Sequence, residues 1–396
     1  MSAIPEVRTV CFVGAGTMGC YNALLAALAG YQAVLYDANP DSLAVVPTRQ
    51  EEMAAMIVAA GFCSQSDVNQ AATRIRCSGD LSEAVADAQL VSESVYEDLA
   101  LKRDIHRQLD AVAHPDVVLT TNSSALLISD IEDVVRRGER IAALHSHLGS
   151  PLIDIVPGPR TSAATIEMLR RYALSLRAEP LVLNKENPGY VLNALLGPVI
   201  GTSLALCVNG DYTARQIDLA WMRSQGGVMG PFGMIDLFGL PLIRDTWLHR
   251  NREDALQAFR DPILALLQPM IDANQLGMQS GAGFYRYPEP DYQSREFALE
   301  DAETPLMDLL QNTLVAHGLV LAMHDIAAPM DIDRAWRIGT GLSKGPFENL
   351  REQGVTATEI SFTQLRVRGL LSDADSAKLL ECLASRGNAL IQERNS

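Results

Sequence analysis

Val10-Cys11-Phe12-Val13-Gly14-Ala15-Gly16-Thr17-Met18-Gly19, continuing through an alanine- and leucine-rich run to Gly30, is the stretch that decides the fold. The four residues before Gly14 read as a buried strand, the glycines as a turn and the run behind them as a helix. Ala33-Val34-Leu35-Tyr36 reads as the next strand and delivers Asp37 about twenty residues beyond the glycines. Each glycine has its own physical task. Gly14 permits the tight turn, Gly16 lets backbone approach a pyrophosphate, and Gly19 lets helix and strand pack closely. The N–H groups of Thr17, Met18 and Gly19, at the helix start, are left free to face phosphate. Asp37 accepts hydrogen bonds from a ribose 2′-OH and repels a 2′-phosphate, so the segment reads as a dinucleotide site that favours NAD over NADP.

Outward from this unit, short β-rich runs alternate with helical stretches to about residue 185. Further strands are expected at Gln89–Glu93, Val117–Thr121, Arg140–His145 and Pro151–Val156. Such alternation predicts a doubly wound, mainly parallel sheet, in which ligands lie beyond the carboxyl ends of the strands. From Pro188 onward helical periodicity takes over. Ile217-Asp218-Leu219-Ala220-Trp221, with Gly226 and Gly230-Pro231-Phe232, recurs as Ile332-Asp333-Arg334-Ala335-Trp336, with Gly341 and Gly345-Pro346-Phe347, always displaced by 115 residues. The helical half therefore reads as two copies of one module, joined near Tyr287-Pro288-Glu289-Pro290-Asp291-Tyr292. The expected divisions are 1–186, 187–295 and 296–396.

The 396 residues carry 48 acidic against 32 basic side chains, a net charge of −16, which argues against a nucleic-acid or lipid surface. Only Lys102, Lys185, Lys344 and Lys378 are lysines. Cys11, Cys20, Cys63, Cys77, Cys207 and Cys382 lack metal-site spacing, and reduced thiols are expected. No secretory signal is evident and no apolar run reads as long enough to span a membrane, so a cytoplasmic protein is expected.

An NAD enzyme needs a base for the proton that leaves when a hydride does. His145 closes a predicted strand, where such a base belongs, and His147 shares its face on an extended segment. The residues alone leave the choice between them open. Ser124 follows the strand ending near Thr121 and is placed to donate to a substrate oxygen, or else belongs to a solvated turn. Ser129, with Glu132, reads as a helix cap. Asp154, on the next strand, is placed to hold a histidine in one tautomer. Asn193 falls near the start of the first long helix. Glu97 and Lys102 either touch the nicotinamide ribose or form ion pairs on a helix face.

Together the glycine loop, Asp37, Glu97 with Lys102, Thr121-Asn122-Ser123-Ser124, Arg140 to His145, Asn187-Pro188-Gly189-Tyr190 with Asn193, and Met229-Gly230-Pro231-Phe232 with Asp236 resemble the 3-hydroxyacyl-CoA dehydrogenase family. Ser280-Gly281-Ala282-Gly283-Phe284-Tyr285-Arg286-Tyr287-Pro288 resembles the end of that family's helical domain. The resemblance implies a Rossmann-type domain followed by two helical modules, with NAD as cofactor. It implies oxidation of an L-3-hydroxyacyl-CoA, as in fatty-acid β-oxidation, with His145 as base, Asp154 as its acid partner, and Ser124 and Asn193 on the reacting oxygen.

The chain also departs from the family. The Asn-Pro pair expected after the histidine is replaced within Ser146-His147-Leu148-Gly149-Ser150-Pro151, and the acid is an aspartate where a glutamate is usual. The segment where a CoA would lie holds Arg49, Arg74 and Arg76 but no lysine. A dehydrogenase of a free 3-hydroxy acid, of L-gulonate or carnitine type, is the alternative, and an NAD-binding protein without catalysis is a third reading. Single-copy members pair through the helical domain, so a monomer with an internal pseudo-dimer, or a homodimer through another face, is expected.

Overall fold

The computed structural model describes residues 4–250 and 254–392. It divides into two compact units, the first running to Tyr190 and taking in Asp325–Ala327, the second formed by the rest. In the first unit the elements run β1 Thr9–Val13, α1 Thr17–Leu28, β2 Gln32–Tyr36, α2 Pro40–Ala44, α3 Val46–Ala59, α4 Gln65–Ala72, β3 Ile75–Ser78, α5 Leu81–Val85, β4 Leu90–Glu93 and α6 Leu99–Val112. They continue with β5 Val118–Thr121, β6 Ile141–Ser146, β7 Leu152–Pro157, α7 Ala163–Ser175 and β8 Glu179–Val182.

The eight strands form one sheet in the order β3-β2-β1-β4-β5-β6-β7-β8. The first six in that order are mutually parallel, as the alternating pattern predicts. Strand β7 runs antiparallel to β6, and β8 parallel to β7. The physical reason is connection length, because the loop His147–Pro151 is far too short for a parallel crossover. Strands β3 and β8 are absent from the expectations drawn from sequence. Both are edge strands with partly exposed residues, and β8 contains Pro180, which an edge tolerates. Their apolar signal is therefore weak. The core of this unit packs Cys20, Ala23 and Ala26 of α1 and Leu169, Tyr172 and Ala173 of α7 against Val10, Phe12, Leu144 and Ile155 of the sheet.

Ser129 does not cap a helix. It lies within a single 3₁₀ turn, Ile128–Asp130, its N–H donating to Glu186, while Glu132 is taken by Arg160. Asp130 satisfies the Leu127 N–H instead, and the chain turns before a helix can propagate.

The second unit is helical: α8 Leu192–Val208, α9 Ala214–Gln225, α10 Pro231–Phe238, α11 Leu240–Leu248, α12 Arg260–Asp272, α13 Thr304–Met323, α14 Pro329–Thr340, α15 Pro346–Gln353, α16 Val355–Val367 and α17 Asp373–Gln392. Buried Asp218 on α9 accepts from Phe232 N and Gly233 N, so it caps α10 from a neighbouring helix. Burial pushes its carboxyl up to about 7 despite those donors and the Tyr285 hydroxyl. Helix α13 corrects one expectation, since its 20 residues are long and apolar enough to cross a membrane. Most of it is buried, packed on α8, α9, α15 and α16, with Asn312 and Thr313 hydrogen-bonded inside, which is how a core helix passes the same test.

Candidate active site

The carboxyl ends of the central strands are stitched into one rim by hydrogen bonds that step across the sheet. Gly14 N donates to Tyr36 O at 2.8 Å, Ser94 N to Val13 O at 2.7 Å and Asn122 N to Glu93 O at 2.7 Å. Asn122 Oδ1 then accepts from Ser146 N at 2.8 Å, and Ser146 Oγ bonds Asn22 of α1 at 2.7 Å. The glycine loop, the 121–125 turn and the histidine loop are thereby fixed to one another. This is the strand-end position at which parallel sheets bind ligands.

At the first end of the rim, Gly14 has φ +101°, and a Cβ there would lie 2.7 Å from Ser94 O. A Cβ on Gly19 would fall 1.9 Å from Gly14 O, so only glycine allows α1 to sit this close. Gly16 is different: a Cβ there would meet nothing within 4 Å, leaving open room above the backbone. No described side chain caps α1, whose first residues Thr17 and Met18 begin the free N-terminal turn. Asp37 Oδ2 accepts from Ala15 N at 2.9 Å and Oδ1 from Asn39 N at 2.9 Å, which holds the carboxylate at the loop. This arrangement fits a dinucleotide: pyrophosphate at the α1 N-terminus and ribose at Asp37.

Next along the rim lies a charged cluster that the sequence did not show as one. Glu93 and Lys102 are both buried, with Lys102 Nζ 2.7 Å from Glu93 Oε1. Thr121 Oγ1 donates to Glu93 Oε2 at 2.7 Å and His106 Nε2 lies 3.5 Å from the same oxygen. Burial by itself would raise Glu93, but His106 and Lys102 outweigh it and bring the carboxyl down to about 2. Lys102 also reaches Glu97 at 3.4 Å. Its charge is thus committed inside the protein and the pair is not a solvated helix-face ion pair. Glu97 gathers the turn after β5 on a single oxygen, accepting from Ser123 Oγ, Ser124 N at 3.1 Å and Ala125 N at 3.0 Å. Ser124 Oγ makes no hydrogen bond among the described residues.

Strands β6 and β7 pair His145 directly opposite Asp154. Directly opposed residues bring their Cβ atoms to about 5 Å, so the shorter acid suffices: His145 Nδ1 lies 3.0 Å from Asp154 Oδ2. His147 Nε2 lies 2.9 Å from the same oxygen, and the two imidazoles meet edge to face at 4.4 Å between centroids. Burial alone would raise the Asp154 carboxyl, yet these two donors hold it below the usual carboxylate range. An ionised Asp154 only accepts, so the shared oxygen selects the Nδ1–H tautomer of neutral His145 and leaves Nε2 with a free lone pair. Burial pushes His145 below the ordinary histidine range, opposed by Asp154. Tyr190 packs its ring 5.3 Å from that of His145 and donates its hydroxyl to Ser123 O at 2.8 Å, tying the histidine to the serine turn.

Sequence reading named His145 with Asp154, Glu97 with Lys102, and Ser124, and the first unit brings all five onto this rim. Asn193 stands exposed in the first turn of α8, in the second unit. Glu93 was not singled out, and Asn122 and Tyr190 were quoted only within motifs, with no role of their own. The one signal for Glu93 was an acid closing the apolar run Leu90-Val91-Ser92.

The profile of the 3-hydroxyacyl-CoA dehydrogenase NAD binding domain matches residues 9–187, and that of the C-terminal domain matches residues 189–287. The mitochondrial hydroxyacyl-coenzyme A dehydrogenase of Homo sapiens is 30% identical over 292 residues, covering 71% of this chain and 91% of that protein. Among solved structures, a diketoreductase described in terms of substrate-directed dual catalysis of dicarbonyl compounds is 32% identical, covers 72% of this chain and 100% of its own, and superposes with a TM-score of 0.67. The 3-hydroxybutyryl-CoA dehydrogenase of Escherichia coli covers 95% of this chain and 98% of its own at a TM-score of 0.77 and 20% identity, a likeness of fold.

Proposed function

The chain belongs to the 3-hydroxyacyl-CoA dehydrogenase family, and on that premise we propose that it oxidises an L-3-hydroxyacyl-CoA to the 3-ketoacyl-CoA, reversibly, with NAD. The observation that carries the reading is the buried His145–Asp154 pair on the same strand-end rim as the glycine loop. NAD, when bound, supplies the hydride acceptor. His145 Nε2 takes the 3-hydroxyl proton, and Asp154 stabilises the imidazolium that forms without being protonated itself. Ser124, presented by the Glu97-bound turn, donates to the substrate oxygen as charge develops there. The family resemblance assigns Asn193 a hydrogen bond to that oxygen as well.

A free 3-hydroxy acid or dicarbonyl compound is the second reading, favoured by two observations. Arg49 is spent on Ala15 O at 2.7 Å, Arg74 reaches Ala27 O, and Arg76 pairs with Glu83, so the basic side chains of this segment are already engaged. The diketoreductase likeness points the same way. The test is NADH formation from purified protein, NAD and a panel of L-3-hydroxyacyl-CoAs beside free 3-hydroxybutyrate, L-gulonate and carnitine. Turnover with thioesters supports the first reading and turnover with free acids alone the second. Silence with intact NAD binding would overturn both in favour of a non-catalytic role.

The helical unit is read as two copies of one module. Helices α9 and α14, and α10 and α15, keep the 115-residue displacement at both ends. Asp333 accepts from Phe347 N at 2.8 Å as Asp218 does from Phe232 N. The copies diverge in what meets this aspartate: Asp218 receives the Tyr285 hydroxyl, whereas Asp333 is met at 3.0 Å by Arg351. Trp221 and Trp336 meet edge to face at 6.2 Å, so each copy occupies apolar surface of the other. A monomer is the expected state in sedimentation, and a dimer dissociated only by substitutions on α9 would refute internal pairing.

A further inference from the structure

We propose that His145, His147 and Asp154 form a binding site for a borderline-soft divalent cation such as Zn²⁺, and that its occupation switches the dehydrogenase off.

The donor set is two imidazoles and one carboxylate, with His145 Nδ1, His147 Nε2 and Asp154 Oδ2 all within 4.8 Å of one another. Bonds of about 2.0–2.1 Å around a tetrahedral zinc separate its ligand atoms by about 3.3 Å. The two imidazole nitrogens stand 3.0 and 2.9 Å from the carboxylate oxygen and all three atoms lie within 4.8 Å of one another, so the ion is admitted once the carboxylate contacts open by a few tenths of an ångström and the two imidazoles close on the ion. Asp154 is wholly buried, and its second oxygen, Oδ1, has no hydrogen-bond partner, which leaves further coordinating capacity inside the site. Two neutral imidazoles with one carboxylate select zinc and its transition-metal neighbours over Mg²⁺ or Ca²⁺, which demand more oxygen ligands. His147 is the residue that makes this possible. Without it the site is one histidine and one acid, too few ligands to hold an ion.

The inhibitory consequence follows from the proton count. Zinc on His145 Nδ1 takes the lone pair that the N–H bond would otherwise hold, and the neutral ring moves that proton to Nε2. His147 moves its proton from Nε2 to Nδ1 in the same way, so no proton is released and the group gains two charges from the ion. His145 Nε2–H is then a donor and can no longer accept the substrate hydroxyl proton. This arm rests on His145 being the base in the proposed reaction. Binding does not.

The experiment uses the full chain, first stripped with EDTA. Calorimetric titration with ZnCl₂ should give one ion per chain, and CoCl₂ should give the visible absorption of a low-symmetry nitrogen–oxygen site. Turnover should fall with Zn²⁺ at unchanged KM for NAD, return with EDTA and ignore MgCl₂. His147→Gln should weaken Zn²⁺ by more than the about 10–100-fold that loss of an outer partner costs, and the fraction of its own turnover lost to Zn²⁺ should shrink accordingly. The exposed thiol of Cys77 is the competing zinc ligand, and Cys77→Ser should change nothing. Absence of binding, equal zinc affinity in His147→Gln, or loss of binding in Cys77→Ser would overturn the site. Binding at His147 with full turnover would overturn the switch. A protein silent towards every substrate would still report the site through calorimetry and the cobalt spectrum.

Discussion

Replacing Asp154 by asparagine separates the tautomer argument from a merely structural role for the pair. The amide has two orientations. With its oxygen towards the histidines, its NH₂ occupies the place of Oδ1, where the buried position offers no partner. An unsatisfied buried amide costs about 1–3 kcal/mol. With its NH₂ towards the histidines, both amide hydrogens find imidazole nitrogens, and the carbonyl oxygen takes the partnerless place that Asp154 Oδ1 already holds in the parent, so no further group is stranded. The second orientation therefore prevails, and it turns His145 Nδ1 into an acceptor and moves the ring proton to Nε2. The base is lost, together with the anion that stabilises the imidazolium. General-base catalysis contributes about 10²–10⁴-fold, or about 3–5 kcal/mol in the barrier, and kcat of Asp154→Asn should fall by that factor. The equilibrium constant belongs to the substrates, so oxidation and ketone reduction should lose kcat/KM by one and the same factor. NAD affinity, read by titration of protein fluorescence, should stay within about twofold, since Asp37 and the glycine loop are untouched. Turnover within tenfold of the parent, or a loss of NAD binding equal to the loss of turnover, would refute the reasoning.

Two glycines of one loop should respond oppositely to a side chain. Gly19→Ala drives a Cβ into Gly14 O and should cost about 1–3 kcal/mol of stability in urea unfolding. Gly16→Val meets open space, so its stability should stay within about 1 kcal/mol while NAD binding is lost. Asp37→Asn keeps an acceptor for Ala15 N but removes the charge, and the NADP-to-NAD ratio of kcat/KM should rise by about tenfold, the equivalent of 1.4 kcal/mol of relieved repulsion. Lys102→Met leaves Glu93 with a buried charge and should cost about 3–5 kcal/mol at neutral pH. Glu93 in the parent lies at about 2, below its unfolded value of about 4.3, so its contribution is present above that unfolded value and is lost as pH falls through about 2. The stability gap between parent and Lys102→Met should therefore narrow as the pH is lowered through that window, and a gap independent of pH would contradict the assignment.

The sequence by itself determined the Rossmann-type unit. Gly14, Gly16, Gly19 and Asp37 carry their reasons in backbone sterics and charge, which are local, and the structure shows the crowding that requires glycine at positions 14 and 19. It also determined the strands in the middle of the sheet, whose continuous burial writes an apolar run, and the 115-residue displacement of the helices. The edge strands β3 and β8 were not legible because half-exposed edges impose no such run. That both histidines share one oxygen of Asp154 was not legible either. Side chains two apart on a strand are equivalent by periodicity, and only the antiparallel register of β6 on β7 set His145 opposite the acid, while the short turn beyond it returned His147 to the same oxygen. Lys102 likewise reads as either a ribose contact or half of a helix-face ion pair until β4 and α6 pack and close it over Glu93. Local geometry is encoded in neighbouring residues. Partnership between residues remote in the chain is created by register and packing, and here it brought both histidines to Asp154 and set the charge beneath the site.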